Sequence, residues 1–452
     1  MRVHLLHLTL TARSPFGVAA PETTESGSTT KPSLPLATNP AGEPYLPGTS
    51  VTGSLREATP EVRRGALFGF ALDDKAAKAA KERKKPVAQA SLVRILGTQM
   101  TPPHEPEVRR RAAIDRHRGA AANRTLYSRQ TLPAGTIVEV WLRIDQPGSE
   151  SPLPEVKALL TGWRPVLGGG RTTGHGDLQL TAIHHRELDL TTRTGLLTWL
   201  SQGGPGMVGP DVDGTRRLFP DKDEAVVPLD HRLLFKDPLQ FRVLDALHPG
   251  SGASSRIDGG TVARVLKDAN ETVVVPGSTW KGLLRSRVEY VYRSVGLPVC
   301  DSVSDDGAGP CGTCDVCQAF GAAKSRTATS RRRGYLAFPD TPVNGGTLHT
   351  RNHVALDRVF GGAADKQLFA EDVVEGGTIR LAIRANGNPA PALRAAVVLT
   401  LGDLADGLIG VGGGTTRGYG TLAPDEATAA WLTIERPAAQ AALKAATEED
   451  HT

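Results

Sequence analysis

The chain has 452 residues, of which 39% are hydrophobic, and its net charge is +5 from 53 basic and 48 acidic side chains. This length predicts two or three domains, and this share of apolar residues excludes a disordered chain. No apolar run approaches the roughly 18 residues that a membrane span needs, and residues 1–10 lack a small-residue cleavage signature, so we expect a cytoplasmic protein without membrane contact.

The predicted elements of the first half begin and end with strands. Residues 3–12 alternate apolar and polar side chains, as a half-buried strand does. After a Gly/Ser/Pro-rich loop, the Pro47-Gly48 pair predicts a tight turn whose next hydroxyl residue caps a helix. Strands rich in Val, Ile and Leu then precede a helix over 154–161, a glycine loop over 168–176 and a last strand.

The same order of elements returns after a segment in which Gly, Pro and Asp cluster, as is typical of a linker. It comprises a strand over 239–247, a turn and helix from Pro276-Gly277, a helix over 391–406 and a glycine loop over 412–420. The residues after 435, rich in Ala and charge, form either a short helix or a frayed end. The predicted organisation is a first domain over 1–202, a linker over 203–236, a second domain over 237–435 and a tail over 436–452.

Three blocks of sequence occur twice in the same order, which indicates a duplication. The matched blocks are 45–57 with 274–286, 113–142 with 353–383, and 167–178 with 411–422. Each copy has the order strand, helix, strands, helix, strand. This order predicts an α+β fold of two tandem ferredoxin-like (RRM-like) domains with antiparallel sheets and loop insertions.

Each glycine loop combines several glycines with Arg and Thr. Such glycines let backbone N–H groups approach an anion, and Arg and Thr add charged and hydroxyl donors suited to phosphate. A Walker or Rossmann loop is disfavoured because a strand, and not a helix, follows each loop. A tight connection without ligand is the alternative. The loop residues predicted to contact RNA are Gly168, Gly169, Gly170, Arg171, Thr172, Gly174, Gly412, Gly413, Gly414, Thr415 and Arg417.

Charged and aromatic residues near these loops support a polyanionic partner. Basic clusters at 81–85, 109–111 and 331–333 lie near Gly-rich segments, which favours a polyanion over a solvated surface. His175 and Tyr419 occupy the same position in the two loops, which predicts an aromatic surface there.

All four cysteines of the chain lie between residues 300 and 317. In a cytoplasmic protein, four thiolates with the spacing C-x10-C-x2-C-x2-C predict one tetrahedral Zn²⁺ site formed by Cys300, Cys311, Cys314 and Cys317. An iron–sulfur cluster and unligated cysteines are the alternatives. Four thiolates leave no open position for water, so we expect a structural zinc that pins a long insertion.

The Pro-Gly turns followed by Arg56 or Lys281, the Ile/Leu-Asp-Arg segments and the glycine loops together resemble the repeat-associated mysterious protein (RAMP) superfamily. Within it they are similar to Csm/Cmr-type backbone subunits of type III CRISPR effectors, here as two fused copies in a type III-D-like arrangement. The resemblance implies domains that grip CRISPR RNA, position complementary target RNA and contact other effector subunits. It places Arg56, Lys281, Arg116 and Arg358 against RNA, with internal ion pairs as the alternative for Arg116 and Arg358.

The resemblance also implies a catalytic position, since related subunits cut target RNA with an aspartate between the first strand and the Pro-Gly turn. Pro32 and Ser33 stand there in the first copy, which predicts an inactive domain. In the second copy Asp258 is the candidate, with Mg²⁺ as its metal, and a turn-capping aspartate is the alternative. A CRISPR RNA-processing endonuclease would instead use a histidine near the N-terminus, but the strand pattern already accounts for His4 and His7.

Overall fold

The structure is a computed structural model that describes the chain except residues 21–32, 74–77, 79–85, 124, 221–229, 258–259, 304–308 and 451–452. The strands of the first copy are β1 (Arg2–Ala12), β2 (Phe70–Ala71), β3 (Ala88–Gln89), β4 (Val93–Thr101), β5 (Glu107–Arg111), β6 (Tyr127–Thr131), β7 (Ile137–Gln146), β8 (Leu178–Asp189) and β9 (Arg216–Phe219). Its helices are α1 (Gly48–Ala58), α2 (Glu61–Phe68), α3 (Leu153–Thr161) and α4 (Arg193–Gln202).

The second copy has the same kinds of element with longer insertions. Its strands are β10 (Leu239–Val243), β11 (Ala246–Leu247), β12 (Gly250–Ile257), β13 (Gly260–Val265), β14 (Val274–Val275), β15 (Leu336–Ala337), β16 (Thr341–Asn344), β17 (Thr347–Leu356), β18 (Ala363–Glu375), β19 (Thr378–Leu381), β20 (Arg384–Ala385) and β21 (Leu422–Pro424). Its helices are α5 (Gly277–Ser294), α6 (Asp315–Phe320), α7 (Pro391–Ala405) and α8 (Glu426–Asp450).

The central sheets of the two copies repeat one strand order. The first sheet runs β4-β7-β1-β8-β9, and the second runs β14-β16-β19-β10-β21. The segment β4-β7-β1-β8 therefore corresponds to β16-β19-β10-β21, and every pair of neighbours in it is antiparallel. The prediction of an α+β chain with antiparallel sheets is confirmed, and the ferredoxin-like topology of each copy stays a prediction.

Each copy has its own apolar core between its sheet and its helices. In the first copy Leu6, Leu8 and Leu10 of β1 pack with residues of α1 and α3. In the second copy Phe241 of β10 and Trp280 of α5 are fully buried among residues of α7. Because α1 and α5 begin at the glycines of the two Pro-Gly pairs, core packing fixes where each helix start lies relative to the sheet.

The segment predicted as a linker contributes to both copies. Strand β9 adds to the first sheet beside β8, and Met207 and Val208 are buried against Val3 and Leu5 on the face of that sheet opposite the main core. At the other end of the segment, Phe235 belongs to the core of the second copy. Apolar side chains within a Gly/Pro-rich stretch thus cover an otherwise open sheet face.

The tail of the chain is helical, the first of the two structures expected for it. Helix α8 runs to Asp450 and buries Ala439 and Leu443 in the second core. Arg436 fixes it further by donating to the carbonyl of Gly402 at 2.9 Å. None of the helices in the described part of the chain is both long and apolar enough to cross a membrane.

Candidate nucleic-acid interface and metal centre

The two glycine loops have the same backbone conformation. Their glycines with positive φ are Gly168, Gly170, Gly174 and Gly176 in the first loop and Gly412, Gly414, Gly418 and Gly420 in the second. In both loops the residue before the first glycine donates its N–H to the last glycine, from Leu167 to Gly176 at 2.8 Å and from Val411 to Gly420 at 3.0 Å. Left-handed φ values are costly for any residue with a Cβ, which explains the repeated glycines.

Several of the backbone N–H groups predicted to bind an anion already donate hydrogen bonds within the protein. Five amides of the first loop donate to backbone carbonyls, namely those of Gly169, Thr173, Gly174, His175 and Gly176. Those N–H groups are therefore occupied within the protein. The capacity to bind phosphate then lies largely with the side chains that surround the loop.

The first loop is closed by the second copy. Thr172 accepts a hydrogen bond from Lys281 Nζ at 2.9 Å through its hydroxyl and from the Phe338 N–H at 3.2 Å through its carbonyl. A Cβ at Gly174 would collide with Cα of Pro339. In the second loop the equivalent Gly418 has no neighbour within 4 Å of such a Cβ among the described residues.

A cation cluster surrounds the closed loop and consists of Arg111, Arg129, Arg171, Lys281 and Arg333. Burial and then like charge lower the pKa values of Arg129, Arg171 and Lys281. Burial, reinforced by Arg285 and Arg111, lowers the pKa of Lys281 to about 8. Burial and then the charge of Arg111 lower the pKa of Arg129, and burial and then the charge of Arg333 lower that of Arg171. The cluster therefore favours a negatively charged ligand.

Carboxylates balance only part of this charge. Glu57 lies 2.7 Å from Arg333 and 3.6 Å from Arg171. Among the described residues, no carboxylate oxygen lies within 4.0 Å of a charged nitrogen of Arg111, Arg129 or Lys281. The buried Nε of Arg129 also lacks a hydrogen-bond partner in this part of the structure.

The second loop differs because its basic residue is neutralised. Arg417 lies 2.5 Å from Glu371, which stands at the position equivalent to Arg129 of the first copy. Close by, Arg264 pairs with Asp372 at 3.1 Å. The two loops thus have the same backbone conformation, but Arg129 beside the first loop is replaced by Glu371 beside the second.

The remaining residues predicted to contact RNA lie in different surroundings. Arg56 donates to the carbonyl of Gly69 at 2.8 Å, so its guanidinium supports the turn after α2. Arg116 pairs with Glu289 of the second copy at 2.9 Å, which is the internal ion pair weighed as its alternative. The equivalent Arg358 is exposed on the turn between β17 and β18. Only Lys281 among these four joins the cation cluster.

The expected aromatic surface at the loops is wrong, since His175 and Tyr419 are 1% and 3% exposed. Burial lowers the pKa of His175 to about 3, so its ring is neutral and accepts a hydrogen bond from Arg111. His4 and His7 are also buried, as their strand pattern predicts. Among the sequence signals, the basic clusters at 109–111 and 331–333 meet at the first loop, and the cluster at 81–85 lies outside the described residues.

We expect Gly174→Ala to destabilise the junction of the two copies far more than Gly418→Ala. Both glycines have left-handed φ values, 77° and 91°, so each substitution introduces backbone strain of about 1–2 kcal/mol. Only at Gly174 does the added methyl group also meet the backbone of the other copy. Thermal unfolding of both variants measures the difference, and equal losses of melting temperature would contradict the contact.

The four cysteine sulfurs form one compact group. Their Sγ atoms all lie within 4.8 Å of one another, and the separations include 3.4 Å for Cys300–Cys317, 3.8 Å for Cys300–Cys314 and 4.0 Å for Cys311–Cys317. Zn–S bonds of about 2.3 Å in a tetrahedron place sulfurs about 3.8 Å apart. Disulfides are excluded because an S–S bond measures about 2.05 Å.

Backbone N–H groups and an arginine lie close to the sulfurs of the four cysteines. The Cys314 and Thr313 N–H groups point to Cys311 Sγ, both at 3.4 Å. Hydrogen bonds with Cys300 and Cys314 lower the pKa of Cys317, with help from the Arg285 guanidinium, while hydrogen bonds with Cys314 and Cys317 raise the pKa of Cys300. Zn²⁺ is bound by thiolates, and the spacing of the four sulfurs fits one such ion, which would cross-link the insertion when bound. The predicted four-cysteine set is confirmed as a group that can hold a metal such as zinc.

The catalytic candidate Asp258 lies outside the described residues. Among the described residues, the four cysteines are the one group of three or more metal-binding side chains within reach of a single ion, so nothing there supports Mg²⁺. If the second copy cuts RNA through this aspartate, Asp258→Ala removes a defined cut in labelled complementary RNA held by the assembled guide complex. An unchanged cut pattern would make Asp258 a turn residue.

Each of the two copies matches the same known protein family. The chain matches the RAMP superfamily over two separate regions, residues 9–179 and residues 240–423. The chain belongs to the RAMP superfamily. Each match ends within a few residues of a glycine loop, so both copies are RAMP-like units, and membership connects the protein with CRISPR-associated RNA binding. No curated protein matches the sequence.

Proposed function

We propose that this RAMP protein is a CRISPR RNA-binding backbone subunit of a type III effector complex. In this proposal the cation cluster at the junction of the two copies grips the phosphates of the guide RNA, and complementary target RNA pairs with the guide held there. The observation that carries it is the set of basic side chains around the first glycine loop that no described carboxylate balances, namely Arg111, Arg129 and Lys281.

The placement of this cluster favours recognition of a backbone over recognition of bases. Arg and Lys read phosphate charge without sequence information. Of the aromatic side chains near the junction and the loops, Trp280, His175 and Tyr419 are buried and offer no stacking surface for bases, whereas Tyr127 and Phe369 are 37% and 38% exposed. Binding is therefore expected to be independent of RNA sequence, with specificity left to base pairing between guide and target.

The finer parts of the proposal are a cytoplasmic, type III-D-like complex in which other effector subunits contact the tandem copies. The described structure offers a processing endonuclease little support, because His4 bonds to Gln146 and His7 bonds to Glu139 inside the first sheet. Target-RNA cleavage by the second copy remains the rival activity and depends on Asp258 alone.

The salt dependence of RNA binding tests the proposal. The full chain is titrated into labelled single-stranded RNA at several salt concentrations, with an RNA of unrelated sequence as control. Each phosphate contact contributes about 0.7 to the slope of log K against log salt for a single strand. A slope near 2 or more, equal for both RNAs, supports a multi-cation grip on the backbone. Absence of binding, or binding that salt does not change, would refute it.

A further inference from the structure

A buried carboxylate connects the cysteine insertion to the first copy. Glu289 of α5 is fully buried and accepts hydrogen bonds from three different segments. Arg116 of the first copy donates to it at 2.9 Å, Arg285 of α5 at 2.8 Å and the hydroxyl of Ser302 at 2.6 Å. Because a buried charge that loses a partner is strongly destabilised, each segment depends on the other two staying in place.

Two of these partners lead directly to the thiol group. Arg285 also donates to Sγ of Cys317 at 3.5 Å. Ser302 lies two residues after Cys300, and Arg116 reaches its hydroxyl at 3.4 Å. A continuous path of hydrogen bonds therefore runs from the cysteines, through Arg285 and Glu289, to the first copy.

The duplication provides an internal control for this path. Arg358 is the equivalent of Arg116 in the second copy and stands on a turn with the same hydrogen bonds. In both turns the aspartate before the arginine accepts backbone N–H groups two and three residues ahead, at 3.0 and 2.8 Å for Asp115 and at 2.8 Å twice for Asp357. Arg358 itself is exposed, so the two arginines differ chiefly in the contact with Glu289.

We propose that the four-cysteine insertion, when it holds metal, docks the first copy onto the second through Glu289, so that metal binding and docking stabilise each other. Such coupling is reciprocal, because whatever docking adds to metal affinity the metal adds to docking. Arg285 belongs both to this path and to the surroundings of Lys281, so the path passes beside the cation cluster. The coupling concerns docking alone and stands or falls independently of RNA binding.

Zinc release from the loaded full-length protein tests one direction of the coupling. The rate of release to an excess of a chromophoric chelator is compared for the natural chain, Arg116→Ala and Arg358→Ala. Outer partners of metal sites typically change metal affinity by 10- to 100-fold, so we expect release about tenfold faster in Arg116→Ala and unchanged in Arg358→Ala. Equal release rates in the two variants would overturn the proposal.

Hydrogen–deuterium exchange of the unmutated chain tests the other direction and does not depend on how a variant folds. We expect removal of zinc to speed exchange in residues 113–122 of the first copy, where Asp115 N–H bonds to Ala120 and Ala122 N–H bonds to Ala113. The equivalent residues 355–364 serve as control and are expected not to change. If stripping the metal affects residues 300–320 alone, the insertion is an independent unit and the proposal is wrong.

Discussion

The double substitution of Arg129 and Arg171 by alanine is expected to weaken binding of single-stranded RNA about 100-fold at low salt, since a charge-assisted hydrogen bond to phosphate contributes roughly 1.5–3 kcal/mol. Both guanidinium groups lie at the first glycine loop, and burial, followed by the charge of neighbouring cations, lowers the pKa values of both. Removing them takes positive charge from a site with an excess of it. Anisotropy titrations of labelled RNA measure the loss, and the salt slope is expected to fall by about 1–2.

The second loop supplies the matched control for this experiment. Arg417 is already paired with Glu371, so Arg417→Ala removes one charge of a neutral pair and is expected to change affinity little. Glu371→Arg places the residue of the first copy at the second loop and is expected to strengthen RNA binding. If Arg417→Ala weakens binding as much as the double substitution does, the second loop contributes equally and the asymmetry has no functional meaning.

Substitution of Cys317 by serine is expected to abolish metal binding and to lower the melting temperature by roughly 10 °C. Cys317 is fully buried, and its sulfur contacts both Cys300 and Arg285. Its loss therefore removes one ligand and one support of the path to Glu289. Metal analysis by mass spectrometry gives the stoichiometry, and calorimetry gives the stability.

A substitution elsewhere in the insertion separates loss of metal from general damage. The hydroxyl of Ser325 donates to the carbonyl of Pro310 at 2.8 Å without touching a cysteine sulfur. Ser325→Ala is expected to keep one metal ion per chain. Added zinc should restore stability to the stripped natural protein and not to Cys317→Ser. Retention of one ion by Cys317→Ser would show that the four thiols do not form the site.

The duplication made most of the fold accessible from the sequence. Matched blocks fix equivalent residues, and apolar periodicity locates β1, α3 and α7 within one or two residues of their observed bounds. The spacing of the cysteines was sufficient to predict their group, because ligands close together in sequence need little help from the fold. The helical end of the chain also had a signal, the apolar spacing of Leu432, Ala439 and Leu443 on one face.

The junction of the two copies was beyond the reach of sequence reasoning. Arg129 and Glu371 occupy equivalent positions in the two copies. The sequence alone does not show that each lies beside a glycine loop, where this change of charge distinguishes the two loops. Likewise, Glu289 reads as an ordinary helix residue until Arg116, far away in sequence, is seen to contact it. Such contacts depend on how two domains pack, and local pattern carries no information on that.

The closing of the first loop by the second copy has a consequence for synthesis on the ribosome. Thr172 accepts hydrogen bonds from Lys281 and Phe338, and Arg109 forms an ion pair with Asp340. All three partners belong to the second copy, which is synthesised later. A nascent chain that has folded only its first half therefore lacks Lys281 at the first loop, and its Arg109 lacks the partner Asp340. The cation cluster is therefore complete only after the second copy has been synthesised and has folded, since Lys281 and Arg333 belong to that copy.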